Sequence, residues 1–481
     1  MSYRLFCTLL ACALLFAACA DDPDAATNQA NQDLADVYDD AGDLEDVDDR
    51  DSGENNGQII RDLPLDEFVA DDSDFEYDVA WADEDATVPT WLLEVTSQRW
   101  RSDDEVDRTL WQHQVVLAVP DGADTSTALV IITGGSNNRA QMEPDDGDVE
   151  LAQMVANLVG TPVVGLAQIP NQPLTIYGEG EDMFEDDLVA SSWHMVLETG
   201  DSTWSAYFPM TRAVVRTMDA VQDFMDQRDT PTEDFVLTGF SKRGATTYLA
   251  TAADERVIAM APGVFDFLNF RPQARHHLDV YGEPAPAVAD YAAYDLLNRV
   301  EDEEAQVLID TSDPYAYRDR FTMPKLILAS PGDQFFLPDA MRFYIDDIPG
   351  ETLVRYIPNS GHGLVPEGSD LMDSLIPLVS WYQDIVADRP RPEISWTHDD
   401  GVLTIHADPT PPSVRLWTAT NEEEQNFRID VLGPVWESTA ISGEDNTYTA
   451  TVDPPEQGYT AYLLEVSYGT QIYTTQVYVT P

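Results

Sequence analysis

The sequence predicts an α/β domain with a mostly parallel sheet, followed by a small β-sandwich. Short apolar runs alternate with longer amphipathic runs between residues 77 and 389, which is typical of strands and helices taking turns around such a sheet. After Arg389 the amphipathic runs stop, and short segments that alternate polar and apolar residues continue to the end of the chain. The length of 481 residues also favours more than one folded unit, since a typical domain has ~150 residues.

The strands of the α/β domain are expected at the apolar runs, and the helices mainly between the later strands. These runs lie at 91–97, 112–119, 128–133, 162–168, 235–240, 257–261, 325–329 and 353–358. One amphipathic segment has apolar residues at three- and four-residue steps, at Val214, Met218, Val221 and Met225. This spacing predicts a helix over 210–228 with one buried face.

Two further segments complete the predicted architecture. Residues 266–320 interrupt the alternation with Pro, Tyr and two adjacent His, and they are too long for an ordinary connection, so we interpret them as a cap. Residues 390–481 predict an immunoglobulin-like β-sandwich. Its strands are expected at 402–406, 413–417, 448–452, 461–466 and 470–479.

The charge of the chain excludes one class of partner. The sequence has 89 acidic and 25 basic residues and a formal net charge of -64. Nucleic-acid binding needs clustered Lys and Arg that neutralise phosphates, so nucleic acid is excluded as a partner.

The basic residues are almost all Arg, because Lys occurs at only two positions, Lys242 and Lys325. An acidic, Lys-poor surface predicts adaptation to high salt, which screens self-repulsion; compositional drift is the alternative.

The first residues predict export. An Arg at position 4 precedes an almost unbroken apolar run from Leu5 to Ala20, which two Asp follow. The run is shorter than the ~20 residues of a membrane-spanning helix, so we interpret 1–19 as a signal peptide, with an uncleaved anchor as the alternative. The small residues before Cys19 resemble the bacterial lipobox, whose Cys receives a lipid, although a chance cysteine would also fit. We expect an exported, membrane-anchored lipoprotein, periplasmic or at the cell surface.

The segment behind the signal peptide predicts a tether. Residues 20–76 are strongly acidic, contain few aromatic residues and show no helix or strand period, which is typical of a disordered segment.

The positions of the cysteines limit the chemistry of the mature chain. All 3 cysteines fall within the first nineteen residues. We therefore expect no internal disulfide, no cysteine nucleophile and no thiolate metal site in the mature chain.

The sharpest local motif surrounds Ser241. An apolar strand runs through Gly239 into Ser241 and then into a segment of small residues that predicts a helix. This is typical of a nucleophile elbow, in which small neighbours permit strained dihedrals and the hydroxyl rises above the sheet. The glycine expected two residues after the serine is Arg243, and Gly244 comes one position later. On the motif alone, a serine that only caps the next helix is the alternative.

Downstream residues complete a Ser-Asp-His order. The strand at 325–329 breaks at Pro-Gly and places Asp333 at its tip, and the next strand leads into a loop of small residues around His362. In an α/β-hydrolase, the acid and the histidine follow the nucleophile in this order, at the ends of later strands. The remaining histidines lie in other settings, such as His276 and His277 in the cap. For the acid, Asp339 is the competitor, but we expect it to cap the helix beside it.

The roles of these residues follow from their chemistry. Ser241 would attack a carbonyl, His362 would take its proton and return it to the leaving group, and Asp333 would orient the imidazole. One oxyanion-hole N–H is expected from Lys242 and the other from the loop after an early strand, at Gly135 and Ser136. The Lys242 ammonium is expected to attract an acidic substrate group or to pair with a nearby carboxylate, with an ordinary surface ion pair as the alternative.

Together these residues resemble the PhoPQ-activated pathogenicity-related protein family. The resemblance covers most of the mature chain and includes Thr-Gly-Gly-Ser-Asn-Asn, Gly-Phe-Ser-Lys-Arg-Gly and Pro-Asn-Ser-Gly-His, at 133–138, 239–244 and 358–362. Further matching segments lie at 91–98, 168–173, 181–182, 209–213, 264–269 and 331–333. The resemblance implies an α/β-hydrolase fold with a C-terminal β-sandwich and an esterase or peptidase activity. It also implies that Arg243 is a trait of the family.

The sequence thus predicts a serine hydrolase that cleaves an ester or peptide bond, with a peptide or small ester as its substrate. We expect 170–173 and the cap to shape the pocket, and no metal or organic cofactor is implied. The expected substrate-binding residues are Asn137, Asn171, Gln172, Glu181 and Asp182. The two acids would hold a substrate amine if they line the pocket, and a solvated acidic loop is the alternative. A catalytically silent binding or signalling protein with the same fold is the alternative function.

Overall fold

The computed structural model describes residues 64–481. The signal peptide, Cys19 and the tether up to residue 63 lie outside the described residues. The α-helices are α1 (Pro64–Ala70), α2 (Gly147–Val159), α3 (Glu185–Thr199), α4 (Tyr207–Asp226), α5 (Lys242–Ala253), α6 (Phe270–Tyr281), α7 (Ala289–Ala293), α8 (Leu296–Arg299), α9 (Gln306–Ser312), α10 (Leu371–Val386) and α11 (Ile429–Leu432). Short 3-10 helices span Ser202–Trp204, Pro286–Val288, Glu303–Ala305, Pro314–Arg320, Ala340–Phe343 and Ile345–Asp347.

The strands fall into an α/β part and a C-terminal part. In the α/β part they are β1 (Glu76–Asp83), β2 (Thr90–Arg99), β3 (Leu110–Ala118), β4 (Thr127–Ile132), β5 (Val163–Leu166), β6 (Leu174–Ile176), β7 (Gly180–Met183), β8 (Asp234–Phe240), β9 (Val257–Gly263), β10 (Lys325–Ala329) and β11 (Thr352–Tyr356). In the C-terminal part they are β12 (Glu393–Asp399), β13 (Val402–Asp408), β14 (Ser413–Asn421), β15 (Glu437–Ala440), β16 (Thr447–Thr451), β17 (Tyr459–Tyr468), β18 (Gln471–Thr474) and β19 (Tyr478–Thr480).

A nine-stranded sheet forms the centre of the α/β domain. Its strand order is β1-β2-β3-β5-β4-β8-β9-β10-β11, and the six strands from β5 to β11 are parallel, while β1, β2 and β3 pair antiparallel at one edge. Each parallel strand ends at the same edge of the sheet, so the loops that follow β4, β8, β10 and β11 gather there. With helices on both faces, this order confirms the predicted α/β-hydrolase fold.

The interior strands of the sheet are buried on both faces, and the side chains of β8 show this directly. Phe235 and Leu237 of β8 pack in the core that includes α4 and α5, whereas Val236 packs in the core that includes α2 and α10. Successive side chains of a strand point to opposite faces, so a strand between two helical layers needs apolar residues at nearly every position. This is why most of the predicted strands are visible in the sequence as short apolar runs.

Helix α4 begins earlier than the sequence pattern indicates. The predicted span was 210–228, and the helix covers Tyr207–Asp226. Pro209 lies in its first turn, where the missing N–H would have no partner inside the helix, so proline is tolerated there. The predicted face of Val214, Met218, Val221 and Met225 is buried in the core.

The predicted tether is wrong in its last residues, which are folded. Helix α1 buries Leu65 and Val69, and the guanidinium of Arg216 donates to the Val69 carbonyl at 2.7 Å. Arg320 adds an ion pair with Asp66 at 2.6 Å. The segment has too few apolar residues to show a period, and it is held by contacts with residues more than a hundred positions away.

Helices α6 to α9 lie in 266–320, the segment predicted as a cap, and strands are present at the five positions expected near the C-terminus. Strands β12 and β15 were not among the expected strands. The C-terminal strands form a three-stranded sheet, β12-β13-β16, and a second sheet of β15, β14, β17, β18 and β19, with antiparallel pairing throughout. Ile405 and Leu464, one from each sheet, are both buried in one apolar cluster. The expected strand at 470–479 is divided into β18 and β19.

The sandwich is docked on the last strand of the central sheet. Arg355 of β11 and Glu465 of β17 form an ion pair of 2.8 Å in which each side chain is only 10% exposed. The Thr474 hydroxyl accepts a hydrogen bond from the Tyr356 N–H at 2.9 Å.

In residues 64–481, none of the helices has the length and apolar character needed to cross a membrane.

Candidate active site

Ser241 sits on a sharp turn between β8 and α5. Its backbone has φ 58° and ψ −128°, a conformation that the surrounding packing must enforce, and its side chain makes no capping hydrogen bond. A Cβ at position 239 would come within 2.6 Å of the Arg243 carbonyl oxygen, and one at position 244 within 2.8 Å of the Gly263 carbonyl oxygen. Glycine is therefore required at 239 and 244, where the strand and the helix approach closely, and this is the geometry of a nucleophile elbow.

Asp333 and His362 are joined by a buried hydrogen bond. The His362 Nδ1 lies 2.8 Å from one carboxylate oxygen of Asp333 and 3.0 Å from the other. The ring of Phe335 lies beside the imidazole, with 4.4 Å between ring centroids. His362 Nε2 is buried and has no hydrogen-bond partner within the described residues. A neutral imidazole that donates from Nδ1 leaves Nε2 as a base, the state that proton abstraction requires.

The two loops that carry Asp333 and His362 are tied to each other. The Ser330 hydroxyl donates to the Ser360 carbonyl at 2.6 Å, and the Gln334 side-chain oxygen accepts from the His362 N–H at 2.9 Å. Strands β10 and β11 run parallel in direct register, so both loops begin at the same level. The structure thereby brings together the acid and the histidine that the sequence separates by 29 positions.

Asp339, the competing acid, has a different partner. Its side chain makes no capping bond to the 3-10 helix that follows, so the predicted capping role is wrong. Instead it accepts from His276 Nε2 at 2.9 Å and lies 3.1 Å from the Arg342 guanidinium. The hydrogen bond from His276 and the charge of Arg342 offset the cost of burying this carboxylate. A helix-capping pattern in the sequence does not reveal either partner.

The loop expected to supply the second oxyanion donor starts next to the serine. Strands β4 and β8 are parallel neighbours, with Ile132 opposite Gly239, so Gly135 and Ser136 leave the same sheet edge as Ser241. Gly135 has φ 127°, a backbone conformation that favours glycine. The Ser136 hydroxyl accepts from the Asn138 N–H at 3.1 Å.

Lys242 is buried and paired with two carboxylates. Its Nζ lies 2.8 Å from Glu185 and 3.2 Å from Asp186, and its side chain is 3% exposed. Burial opposes the charge, but Asp186 and Glu185 raise the pKa of Lys242 above its ordinary value. Of the roles considered from sequence, the structure therefore shows pairing with local carboxylates, and the surface ion pair is wrong.

Arg243 points away from the turn and closes the same network. Its Nε donates to the Ile169 carbonyl at 2.6 Å, and its guanidinium lies 2.5 Å from Glu185. The side-chain amide of Gln172 donates to Glu185 at 2.6 Å. Burial would raise the pKa of Glu185, but Arg243 and Lys242 lower it to about 2. Arg243 thus fastens the loop at 169–172 to the start of α5, which accounts for an arginine in place of the expected glycine.

The five expected substrate-binding residues have different surroundings. Asn171 is buried and donates to the Leu110 carbonyl at 3.1 Å, and the Gln172 side-chain amide donates to Glu185 at 2.6 Å. Asn137 has a buried side-chain nitrogen without a partner in the described part of the chain. Glu181 and Asp182 are exposed on β7, which favours the alternative of a solvated acidic segment. None of the five residues lines the cavity at Ser241.

A cavity lies between Ser241 and the cap, and most of its walls were not recognised in the sequence. Its lining residues are Asp186, Trp193, Tyr207, Ser241, Lys242, Phe265, Phe267, Ala274, His277, Val288, Tyr291, Leu296, Leu297, Val300, Phe335 and Phe336. The cap contributes side chains of α6, α7 and α8. These apolar residues have the spacing of ordinary core residues, so the sequence did not identify them as cavity walls.

Within the described range, no group of three or more His, Cys, Asp or Glu side chains is placed to hold a metal ion.

The chain is similar to a known protein family and to one of its members. The family model described as PhoPQ-activated pathogenicity-related protein matches residues 65–428. Autocrine proliferation repressor protein A of Dictyostelium discoideum is 34% identical over 429 residues, which cover 84% of this chain and 86% of that protein.

Several solved structures also resemble the chain. An acetyl xylan esterase from Paenibacillus sp. R4 aligns over 62% of this chain and 86% of its own, with a TM-score of 0.43 and 13% identity. An acylaminoacyl peptidase from Pyrococcus horikoshii aligns over 64% of this chain and 49% of its own, with a TM-score of 0.39 and 13% identity.

Proposed function

Because the chain belongs to the PhoPQ-activated pathogenicity-related protein family and has an α/β-hydrolase fold, we propose that it is a serine hydrolase that cleaves an ester or peptide bond. The observation that carries the proposal is the buried Asp333–His362 hydrogen bond of 2.8 Å at the sheet edge where Ser241 stands on its strained turn. A serine, an oriented imidazole and a carboxylate in this arrangement can activate a hydroxyl for acyl transfer.

The proposed reaction has two halves. The Ser241 oxygen attacks the substrate carbonyl while its proton passes to His362 Nε2, and a tetrahedral oxyanion forms. Collapse of this intermediate breaks the bond to the leaving group, which takes the proton from His362, and an acyl-serine remains. Water then attacks the acyl-serine with His362 as the base, which releases the acid and restores the serine.

The oxyanion would be stabilised by backbone N–H groups. The N–H of Lys242 opens helix α5 directly after the nucleophile, where the helix dipole also favours negative charge. The loop at Gly135 and Ser136 is the proposed source of the second donor. The buried Lys242 side chain is held by two carboxylates, so it contributes by fixing the backbone and not by contacting the oxyanion.

Turnover of two probes tests the proposal. p-Nitrophenyl butyrate reports ester cleavage and Ala-Ala-p-nitroanilide reports amide cleavage, both in high salt. We expect Ser241→Ala and His362→Ala to lower kcat by about 10⁴-fold or more, and Asp333→Asn by about 10³- to 10⁴-fold. Asp339→Asn is the matched control for the acid, with folding checked by circular dichroism.

Two outcomes would count against the proposal. If the folded parent turns over neither probe, the alternative of a silent binding or signalling protein is favoured, a role in keeping with the name of the Dictyostelium relative. If Asp339→Asn is as damaging as Asp333→Asn in well-folded protein, the acid is misassigned.

We also propose that the chain is exported and anchored through Cys19. The support is the apolar run from Leu5 to Ala20 and the small residues before the cysteine. Metabolic labelling of the full chain with a palmitate analogue in a bacterial host should label the parent and Cys12→Ser, but not Cys19→Ser. Equal labelling of Cys19→Ser would contradict the anchor.

A further inference from the structure

We infer that the cavity at Ser241 binds an apolar group of the substrate, next to the bond that is cleaved; this inference rests on the proposed function. Twelve of its sixteen lining side chains are aromatic or aliphatic. Pockets of this composition gain affinity by removing apolar ligand surface from water.

Apart from Ser241, the polar side chains of the cavity already have partners. Asp186 accepts from the Tyr291 hydroxyl at 2.8 Å and faces the Lys242 ammonium at 3.2 Å. His277 Nε2 accepts from the Ala285 N–H at 2.9 Å, and burial, reinforced by Arg428, lowers the pKa of His277 to about 4, so the ring is neutral. A charged substrate group would enter without a counter-charge, which is costly in an apolar site.

The apolar walls extend to the catalytic imidazole. The Phe336 ring lies 6.0 Å from Phe265 and 6.1 Å from Phe267, measured between centroids. Phe335, its neighbour, lies 4.4 Å from the His362 ring. An apolar group that fills the cavity would therefore exclude water from the side of His362 and would lie against the reacting centre.

Alkyl and aryl boronic acids test this inference without a known substrate. The trigonal boron accepts a lone pair from Ser241 Oγ, a B–O bond forms, and the serine proton passes to His362, so no group leaves. We expect the dissociation constant, measured by isothermal titration calorimetry, to fall about tenfold or more from methylboronic acid to 2-phenylethylboronic acid. Methylboronic acid reports the activated serine alone, so its failure to bind would count against the proposed function itself.

Variants that fill the cavity sharpen the test. Leu297→Trp, or Val288→Phe if the first does not fold, should abolish the preference for the larger boronic acid. Val307→Phe, in the cap but outside the cavity lining, is the matched control and should keep the preference. Methylboronic acid that binds as tightly as the 2-phenylethyl compound in the parent would overturn the inference.

A second inference concerns Ile429, which lies in the sandwich and contacts the loops that carry Asp333 and His362. The Ile429 N–H, at the start of α11, donates to the Gly332 carbonyl at 2.9 Å. A Cβ on Gly332 would lie 3.3 Å from Ile429 Cβ, and a Cβ on Gly361 would lie 2.7 Å from Ile429 Cγ2. Gly332 directly precedes Asp333 and Gly361 directly precedes His362, so one side chain of the sandwich packs on both catalytic loops.

The same segment holds the histidine loop at a second point. Asn359 donates from its side-chain amide to the Trp436 carbonyl at 2.9 Å and accepts from the Trp436 N–H at 2.8 Å. The Trp436 side chain is 5% exposed. We propose that Ile429 is a positioning residue, which sets the distance between the Asp333 and His362 loops from the C-terminal domain.

Proton NMR of the full protein tests this role without requiring turnover. A hydrogen-bonded Nδ1 proton of His362 should give a low-field resonance that is lost in His362→Ala. We expect Ile429→Ala to shift or broaden this resonance, Ile429→Val to restore most of it, and Val431→Ala, at an exposed position of α11, to leave it unchanged. An unchanged resonance in folded Ile429→Ala would overturn the proposal.

Discussion

The Lys242 ammonium and the Glu185 carboxylate form an ion pair of 2.8 Å beside the nucleophile, with Arg243 on the other carboxylate oxygen at 2.5 Å. Two cations and the two acids Glu185 and Asp186 are thus gathered at the N-terminus of α5. Because their charges cancel, the network is neutral as a whole, and it fastens α3 and the loop at 169–172 to the turn that holds Ser241.

Removing one charge of this network should destabilise the fold. We expect Glu185→Gln to lower the free energy of unfolding by about 3 kcal/mol, since Lys242 and Arg243 lose a buried partner while Lys242 keeps Asp186. Urea unfolding at constant salt measures the change. The exposed pair of Arg275 and Glu301 is the control, and Arg275→Ala should cost less than about 1 kcal/mol. If Glu185→Gln and Arg275→Ala lower the free energy of unfolding equally, the buried network contributes no more to stability than an exposed ion pair.

The pH dependence of stability should report the buried carboxyl of Asp266. Burial raises its pKa to about 7, even though Tyr356 and Tyr344 donate to it at 2.6 and 2.7 Å. A folded-state pKa above the unfolded value gives stability that is complete below pH ~3.8 and is lost as pH rises through 7.

Asp266→Asn should remove this part of the pH dependence. Between pH 5 and 7 the parent is expected to lose up to about 1.4 kcal/mol per pH unit relative to the variant. Urea midpoints across this range, with the exposed Asp226→Asn as a control, measure the difference. Parallel curves for parent and Asp266→Asn would show that Asp266 titrates alike in the folded and unfolded chains.

The turn at Ser241 should not tolerate a methyl group at position 239. The Cβ of Gly239→Ala would meet the Arg243 carbonyl oxygen at 2.6 Å, so the backbone must shift, at a cost of about 1–3 kcal/mol. Thermal unfolding measures it. Gly147→Ala, at the open start of α2, should be neutral or slightly stabilising. A neutral Gly239→Ala would contradict the close approach of β8 and α5.

Salt should stabilise the protein. At a net charge of -64, like charges repel, and raising the ionic strength from 0.1 M to 1 M shortens the screening length from about 10 Å to about 3 Å. We expect the Tm to rise between 0.1 and 1 M NaCl, whereas proteins of similar size with a net charge near zero should change less. A flat or falling Tm would remove the argument for adaptation to high salt.

The sequence predicted what depends on local pattern. Eight strands appeared as apolar runs because the interior strands of the sheet are covered on both faces. The strands that precede Ser241, Asp333 and His362, together with the order of the three residues, predicted that they leave the same sheet edge. The partners of Asp339 and Lys242 were not predictable, since His276 and Glu185 approach them only through the tertiary fold. The approach of Ile429 to Gly332 and Gly361 crosses a domain boundary and leaves no period in the sequence.

The most direct test of the central claim is covalent labelling of the full mature protein with a fluorophosphonate, read by intact mass and peptide mapping. An activated serine loses fluoride from the reagent and gains a phosphonyl group. The account predicts one adduct, on Ser241, that disappears in Ser241→Ala and in His362→Ala. A folded parent that remains unlabelled, or an adduct on another residue, would contradict it.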